Sequence, residues 1–168
     1  MTETKPIPKS ALTTPNPLFL RDEELTRGIE LLDFAHRALF AEPDQRLAGL
    51  GLSRNHQRVL HCIGRQPGIT MARVLEVLHL SKQTVSRLLK ELDAKGMIAR
   101  HPDARDRRQR RLELTERGRE LDQQLGGRLG RRLADAYRAA GAEAVAGYHT
   151  VLLGLVDESA RKRLQSLG

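Results

Sequence analysis

The stretch RHPDARDRRQRRLELTERG, from Arg100 to Gly118, carries the densest chemistry in the chain. Its first twelve residues hold six arginines (Arg100, Arg105, Arg107, Arg108, Arg110 and Arg111) against two carboxylates, Asp103 and Asp106. A guanidinium presents a planar fork of donors that matches a phosphate, or the edge of guanine, with two parallel hydrogen bonds. Just upstream lies SKQTVSRLLKELDAKG. There Val85, Leu88, Leu89 and Leu92 fall on one side of a helix, and Gln83, Arg87 and Lys90, with Ser86 beside them, fall on the other. Glutamine pairs bidentately with adenine and arginine with guanine. The chemistry on offer is recognition of a polyanion. A run of arginines also occurs as a disordered tail or a solvated helix face, so the surrounding elements have to decide.

The bulk numbers narrow the partner. In 168 residues there are 29 Lys+Arg against 21 Asp+Glu, a formal charge of +8. Such a surplus suits nucleic acid or an acidic membrane surface. Aromatics make up 3% of the residues and tryptophan is absent. Single strands and RNA are usually held by stacking bases on aromatic rings, so duplex DNA is the better match. Cys62 is the only cysteine, which excludes an intrachain disulfide and a cysteine-cluster zinc site. The opening MTETKPIPKSALTTPNP has no apolar run of the signal-peptide kind, and no segment approaches the roughly 18 apolar residues of a membrane helix. The expected location is the cytoplasm, with no membrane partner. No nucleophile elbow, phosphate loop or HExxH motif is present, so the expectation is that the chain is not an enzyme and takes no cofactor.

Several elements must position these side chains. Residues 1–17, with four prolines, read as a mobile arm. A first helix opens at Asp22, Glu23 and Glu24 and runs to about Phe40, with apolar residues on two sides; AEPDQRLAGLG reads as a connection. Ser53 caps a second helix with Val59, Leu60 and Ile63 inward. GIT reads as a short link before a third helix capped by Thr70, with Met71, Val74, Leu75 and Leu78 inward. Ser81 caps the fourth and Gly96 ends it. Two short amphipathic helices this close together form a helix-turn-helix. MIAR and RRLEL then read as paired strands around the loop HPDARDRRQ, with Leu112 and Leu114 on one side and Arg111 and Glu113 on the other. Thr115 caps a long helix broken at Gly141, and Val145, Tyr148, Leu152 and Leu155 mark a final one.

LSRNHQRVLHCIG, SKQTVSRLLKELDAKGMIAR and DARDRRQRRLELTERG, in this order, resemble the MarR family of bacterial transcription regulators over roughly residues 22–165. The wing is the specific piece: Asp106-Arg107-Arg108 followed by Leu114-Thr115-Glu116-Arg117-Gly118 matches the family's D-R-R … L-T-x-x-G. FLRDEELTRGIELLDFAHRALFAEPD is further similar to the first helix of an alphaproteobacterial subgroup of PetP- and LdtR-like regulators. The resemblance implies a mainly α fold with a small β-hairpin wing. It divides the chain into an arm (1–17), a dimerisation helix and connection (18–50), a winged helix-turn-helix (51–114) and C-terminal dimerisation helices (115–168). It also implies a homodimer on double-stranded DNA, most often a repressor at a pseudo-palindromic operator. A non-specific DNA-architectural protein and a redox- or metal-responsive regulator are the alternatives.

On that reading, position along the recognition helix makes Gln83, Thr84 and Arg87 the base readers, with Ser81, Lys82, Ser86 and Lys90 on phosphates. In the wing, Arg105 or Arg107 would reach the minor groove, Arg108 and Arg110 would complete the basic surface, and an Asp106–Arg108 pair would brace the loop. Many family members hold a small, often phenolic or anionic effector between dimer helices and winged domain. Phe34, His36, Arg37, His56, Arg58 and His61 are the candidates for such a pocket. Cys62 sits among Val59, Leu60 and Ile63, as a small core residue does, whereas the family's peroxide sensors carry their cysteine near the start of the first helix. His56, His61 and Cys62 do not share a helix face, so no metal is expected.

Overall fold

The computed structural model describes residues 18–103 and 109–167. The chain divides into two compact units, one up to Ala38 and one from Leu39 onward. In the first, a 3-10 turn at Leu18–Leu20 leads into helix α1 (Asp22–Gly49), whose three acidic residues in the first turn complement the helix dipole. All residues from Leu18 to Ala38 are exposed, including Ile29 at 71% and Phe34 at 64%.

The second unit holds the core. Helix α1 does not stop near Phe40, as its periodicity suggested, but continues through Pro43 to Gly49. A proline inside a helix costs about 3 kcal/mol. Several contacts offset that here: Leu47 is buried, Arg54 donates to Asp44 through both Nε and Nη2, Arg46 donates to Gln124, and Glu42 pairs with Arg128. Arg54 also lies over the Phe40 ring, 4.6 Å from its centre.

Helix α2 (Arg54–Arg65) follows Ser53 and buries Val59, Leu60 and Ile63. Strand β1 (Ile69–Thr70) lies where the sequence suggested only a link. Helix α3 (Met71–Leu78) is capped by Thr70, and helix α4 (Lys82–Ala94) by Ser81, whose Oγ accepts from the Thr84 amide. His79, the residue directly after α3, is left-handed at φ 51°. Gly96, at φ 65°, ends α4 as expected.

Strands β2 (Ile98–Pro102) and β3 (Arg110–Leu114) pair antiparallel, with Arg100 opposite Leu112 and Pro102 opposite Arg110. Strand β1 adds to the other side of β3, with Ile69 opposite Leu112, so the expected hairpin is a three-stranded sheet of order β1-β3-β2. Pro102 is tolerated because β2 is an edge strand. Leu112 and Leu114 face the core and Arg111 and Glu113 face out, as their alternation required.

Thr115 caps helix α5 (Glu116–Ala140) through the Gly118 amide. A β-carbon at Gly118 would sit 2.0 Å from the Met97 carbonyl oxygen. That oxygen already accepts from the Thr115 amide, so α5 lies directly against the start of β2. Gly141 breaks the chain at φ 83° before helix α6 (Ala142–Leu155). A seventh helix, α7 (Glu158–Leu167), was not anticipated. No described residue of α6 is buried.

Candidate nucleic-acid interface

Helix α4 separates its two faces cleanly. Val85, Leu88, Leu89 and Leu92 are buried, while Ser81, Lys82, Gln83, Ser86, Arg87 and Lys90 are exposed. Thr84 is half-buried, and its hydroxyl lies 2.8 Å from the Ser81 hydroxyl, so these two groups are first of all parts of the helix cap. Arg87 donates from Nη1 to Glu91 Oε1 at 2.8 Å, one turn on. The other oxygen of Glu91 lies 2.6 Å from Nε2 of His56, a ring that is 3% exposed. At its far side, the His56 ring accepts the Ser53 backbone N–H into Nδ1 at 3.0 Å. The hydrogen bond from Arg87, ahead of smaller help from His56, holds the Glu91 carboxyl below the usual carboxylate range against the opposing pull of desolvation.

The wing's root is also tied down. Asp103 is buried, and its carboxylate accepts from Arg111 Nε at 2.5 Å. Arg111 Nη1 donates to the Gly68 carbonyl at 3.0 Å, joining β3 to the turn before β1. Arg100 pairs with Asp93 of α4 at 3.0 Å, and Arg110 is exposed. Arg105, Asp106, Arg107 and Arg108 lie outside the described residues, as does the arm 1–17. The Asp103–Arg111 pair is a brace that sequence reasoning missed, because the partners stand eight positions apart in the sequence.

Residues 50–109 match the model of the MarR family. The HTH-type transcriptional regulator PetP of Rhodobacter capsulatus is 41% identical over 150 residues, covering 89% of this chain and 90% of its own length. This chain belongs to the MarR family. The crystal structure of MarR is similar at a TM-score of 0.62 and 26% identity, over 86% of this chain and 97% of that one. Streptococcus pneumoniae FabT, solved in complex with DNA, has the same fold at a TM-score of 0.69 and 24% identity, over 86% and 99% of the two chains. The MarR-type L-T-x-x-G signature now has a physical reason: threonine caps α5, and glycine alone fits beneath the Met97 carbonyl.

The six candidates for a MarR-type effector pocket fall in different settings. Phe34, His36 and Arg37 are exposed in the first unit, where Arg37 pairs with Asp33 and lies 5.0 Å from the Phe34 ring centre. On α2, His56 faces Glu91, while Arg58 donates to Asn55 and to the Leu78 carbonyl at the end of α3. His61 lies 3.4 Å from Asp122 of α5. Helix α2 therefore spreads these three side chains over separate partners. Burial pushes the Cys62 thiol up, against a smaller opposing effect of Arg73, which leaves little reactive thiolate. Sequence reasoning overlooked Glu91, although its i, i+4 spacing from Arg87 was visible. It also missed that Ser53-x-x-His56 takes the form of a capping box with histidine in the usual place of glutamate.

Proposed function

We propose that this MarR-family chain is a homodimeric, sequence-specific DNA-binding transcription regulator that represses from a pseudo-palindromic operator. The observation that carries the reading is α4: one face is wholly buried, and the other offers Gln83, Arg87 and Lys90 to solvent beside a hairpin rooted in arginines. Gln83 and Arg87 would read base edges, with Lys82, Ser86, Lys90 and Arg110 on phosphates. Arg105, Arg107 and Arg108 would extend the basic surface at the wing. A homodimer is supported by the apolar side chains left in water: Phe19, Ile29 and Phe34 in the first unit, and Val151 and Leu155 on α6, are each more than 60% exposed. Patches of this kind mark association surfaces. Two-fold symmetry would place two recognition helices about one helical turn apart, ~10 bp. A small-molecule effector would act by favouring a dimer geometry that no longer fits this spacing.

Selection of bound sites from random DNA, followed by footprinting, tests the reading. The expected outcome is a protected dyad and a preference over random DNA of at least ~10³-fold. Sequence-independent binding would overturn it in favour of an architectural protein.

A further inference from the structure

Glu91 connects an exposed arginine to a buried histidine. An ordinary i, i+4 pair on a helix joins two mobile side chains and holds neither. Here one oxygen of Glu91 is fixed from below. The Ser53 backbone N–H, which can only donate, points into His56 Nδ1, with the Ser53 hydroxyl 2.9 Å from the same nitrogen. The ring's proton therefore resides on Nε2 and is donated to Glu91. The ring cannot swing away, because it is 3% exposed and serves as part of the N-terminal cap of α2. That cap is itself rooted: the next residue, Arg54, is held by Asp44 and stacked on Phe40. The chain of bonds runs from the α1–α2 junction, through a buried imidazole and one carboxylate, to the guanidinium of Arg87.

We propose that His56 and Glu91 are positioning residues for base recognition, which hold the Arg87 guanidinium in one orientation on the DNA-facing surface of α4. The inference deepens the reading of α4 as the recognition helix and rests on it. Only one Arg87 nitrogen, Nη1, is used by Glu91. At least three of the five guanidinium N–H donors stay clear of that bond, enough for a bidentate contact with guanine. The anionic state of Glu91 favours the arrangement, because an ionised carboxylate accepts from both neighbours at once. A guanidinium already oriented loses less freedom on binding and misaligns less readily with the wrong base. Glu91 thus contributes to selectivity without touching DNA.

The test uses the full-length protein, the site recovered by selection, and a panel of its single base-pair variants read by fluorescence anisotropy. Arg87→Ala should flatten the preference at one base-pair position by about tenfold. Glu91→Gln, which keeps the shape and removes the charge, should lose several-fold of preference at that same position and leave the other positions unchanged. His56→Asn should do likewise, because the asparagine amide reaches the place of Nδ1, where it can keep the cap bond, but ends short of Glu91. In the Arg87→Ala background, neither change should have a further effect at that position. Thermal unfolding checks that each variant is folded. If Glu91→Gln and His56→Asn keep the preference that Arg87→Ala loses, or weaken all positions evenly, the positioning role is overturned while the recognition helix stands. If Arg87→Ala alters no base preference, the recognition-helix reading itself falls, and this inference falls with it.

Discussion

At Gly118 the demand for a particular side chain is strictest, because a methyl group there would occupy the space of the Met97 carbonyl oxygen. That carbonyl belongs to backbone already bonded to the Thr115 amide, so it cannot simply turn aside. Gly118→Ala should therefore destabilise the protein by about 1–3 kcal/mol or more, the usual range for overpacking a filled site. Denaturant titration will check this, and an unchanged midpoint would contradict the close approach. Arg87, Glu91 and His56 show a different feature at the same scale: their contacts run in one order, from exposed guanidinium to carboxylate to buried ring. The place of Arg87 on the exposed face could be read from sequence because its helix has one clear polar face. The others could not, since nothing local in "RNHQRV" says that this histidine faces a carboxylate thirty-five residues away.

Among the elements, the helix caps were the most legible, because Thr70, Ser81, Gly96 and Thr115 act through backbone groups within three residues of themselves. Two of the misjudged elements, α1 and β1, depend on distant partners. Helix α1 passes Pro43 because Leu47 is buried and because Asp44, Arg46 and Glu42 find partners on α2 and α5. Strand β1 exists only because Leu112 and Arg111 lie opposite it. The contact between α2 and α5 carries a pH dependence. His61 is raised above its ordinary value, first by its hydrogen bond to Asp122 and then by that carboxylate's charge, against desolvation and Arg65. A histidine whose folded value is raised contributes stability that is complete below the unfolded value, near 6.5, and is lost as pH rises through the folded one. Relative to His61→Gln, the native chain should thus lose stability on going from about pH 5.5 to pH 8.5, by under about 1 kcal/mol for so exposed a histidine. Parallel urea titrations at the two pH values will measure it, and a difference that grows with pH would reverse the sign.

For the whole molecule, the exposed apolar surface and the pairing of the arginines matter most. Removing each large apolar side chain from water is worth ~1.5–3 kcal/mol, so the proposed homodimer would gain from covering the exposed side chains of α1 and α6. Val151→Glu with Leu155→Glu, or Ile29→Glu alone, should shift the protein toward half its mass in light scattering and weaken DNA binding with it. A variant that remains dimeric would place the interface elsewhere. The ion pair between Arg100 and Asp93 has a consequence of another kind. An arginine that already holds a carboxylate brings its own counterion to the duplex, and so displaces none of the cations condensed on DNA. The gross count of 29 basic residues then overstates how many mobile ions binding releases, and the affinity should fall less steeply with salt than that count implies. Asp93→Asn would undo this. With Arg100 free to reach a phosphate, the plot of log affinity against log salt should steepen by about 0.9. On that outcome an aspartate, and not the arginines alone, would set how far the grip on DNA responds to the ionic strength around it.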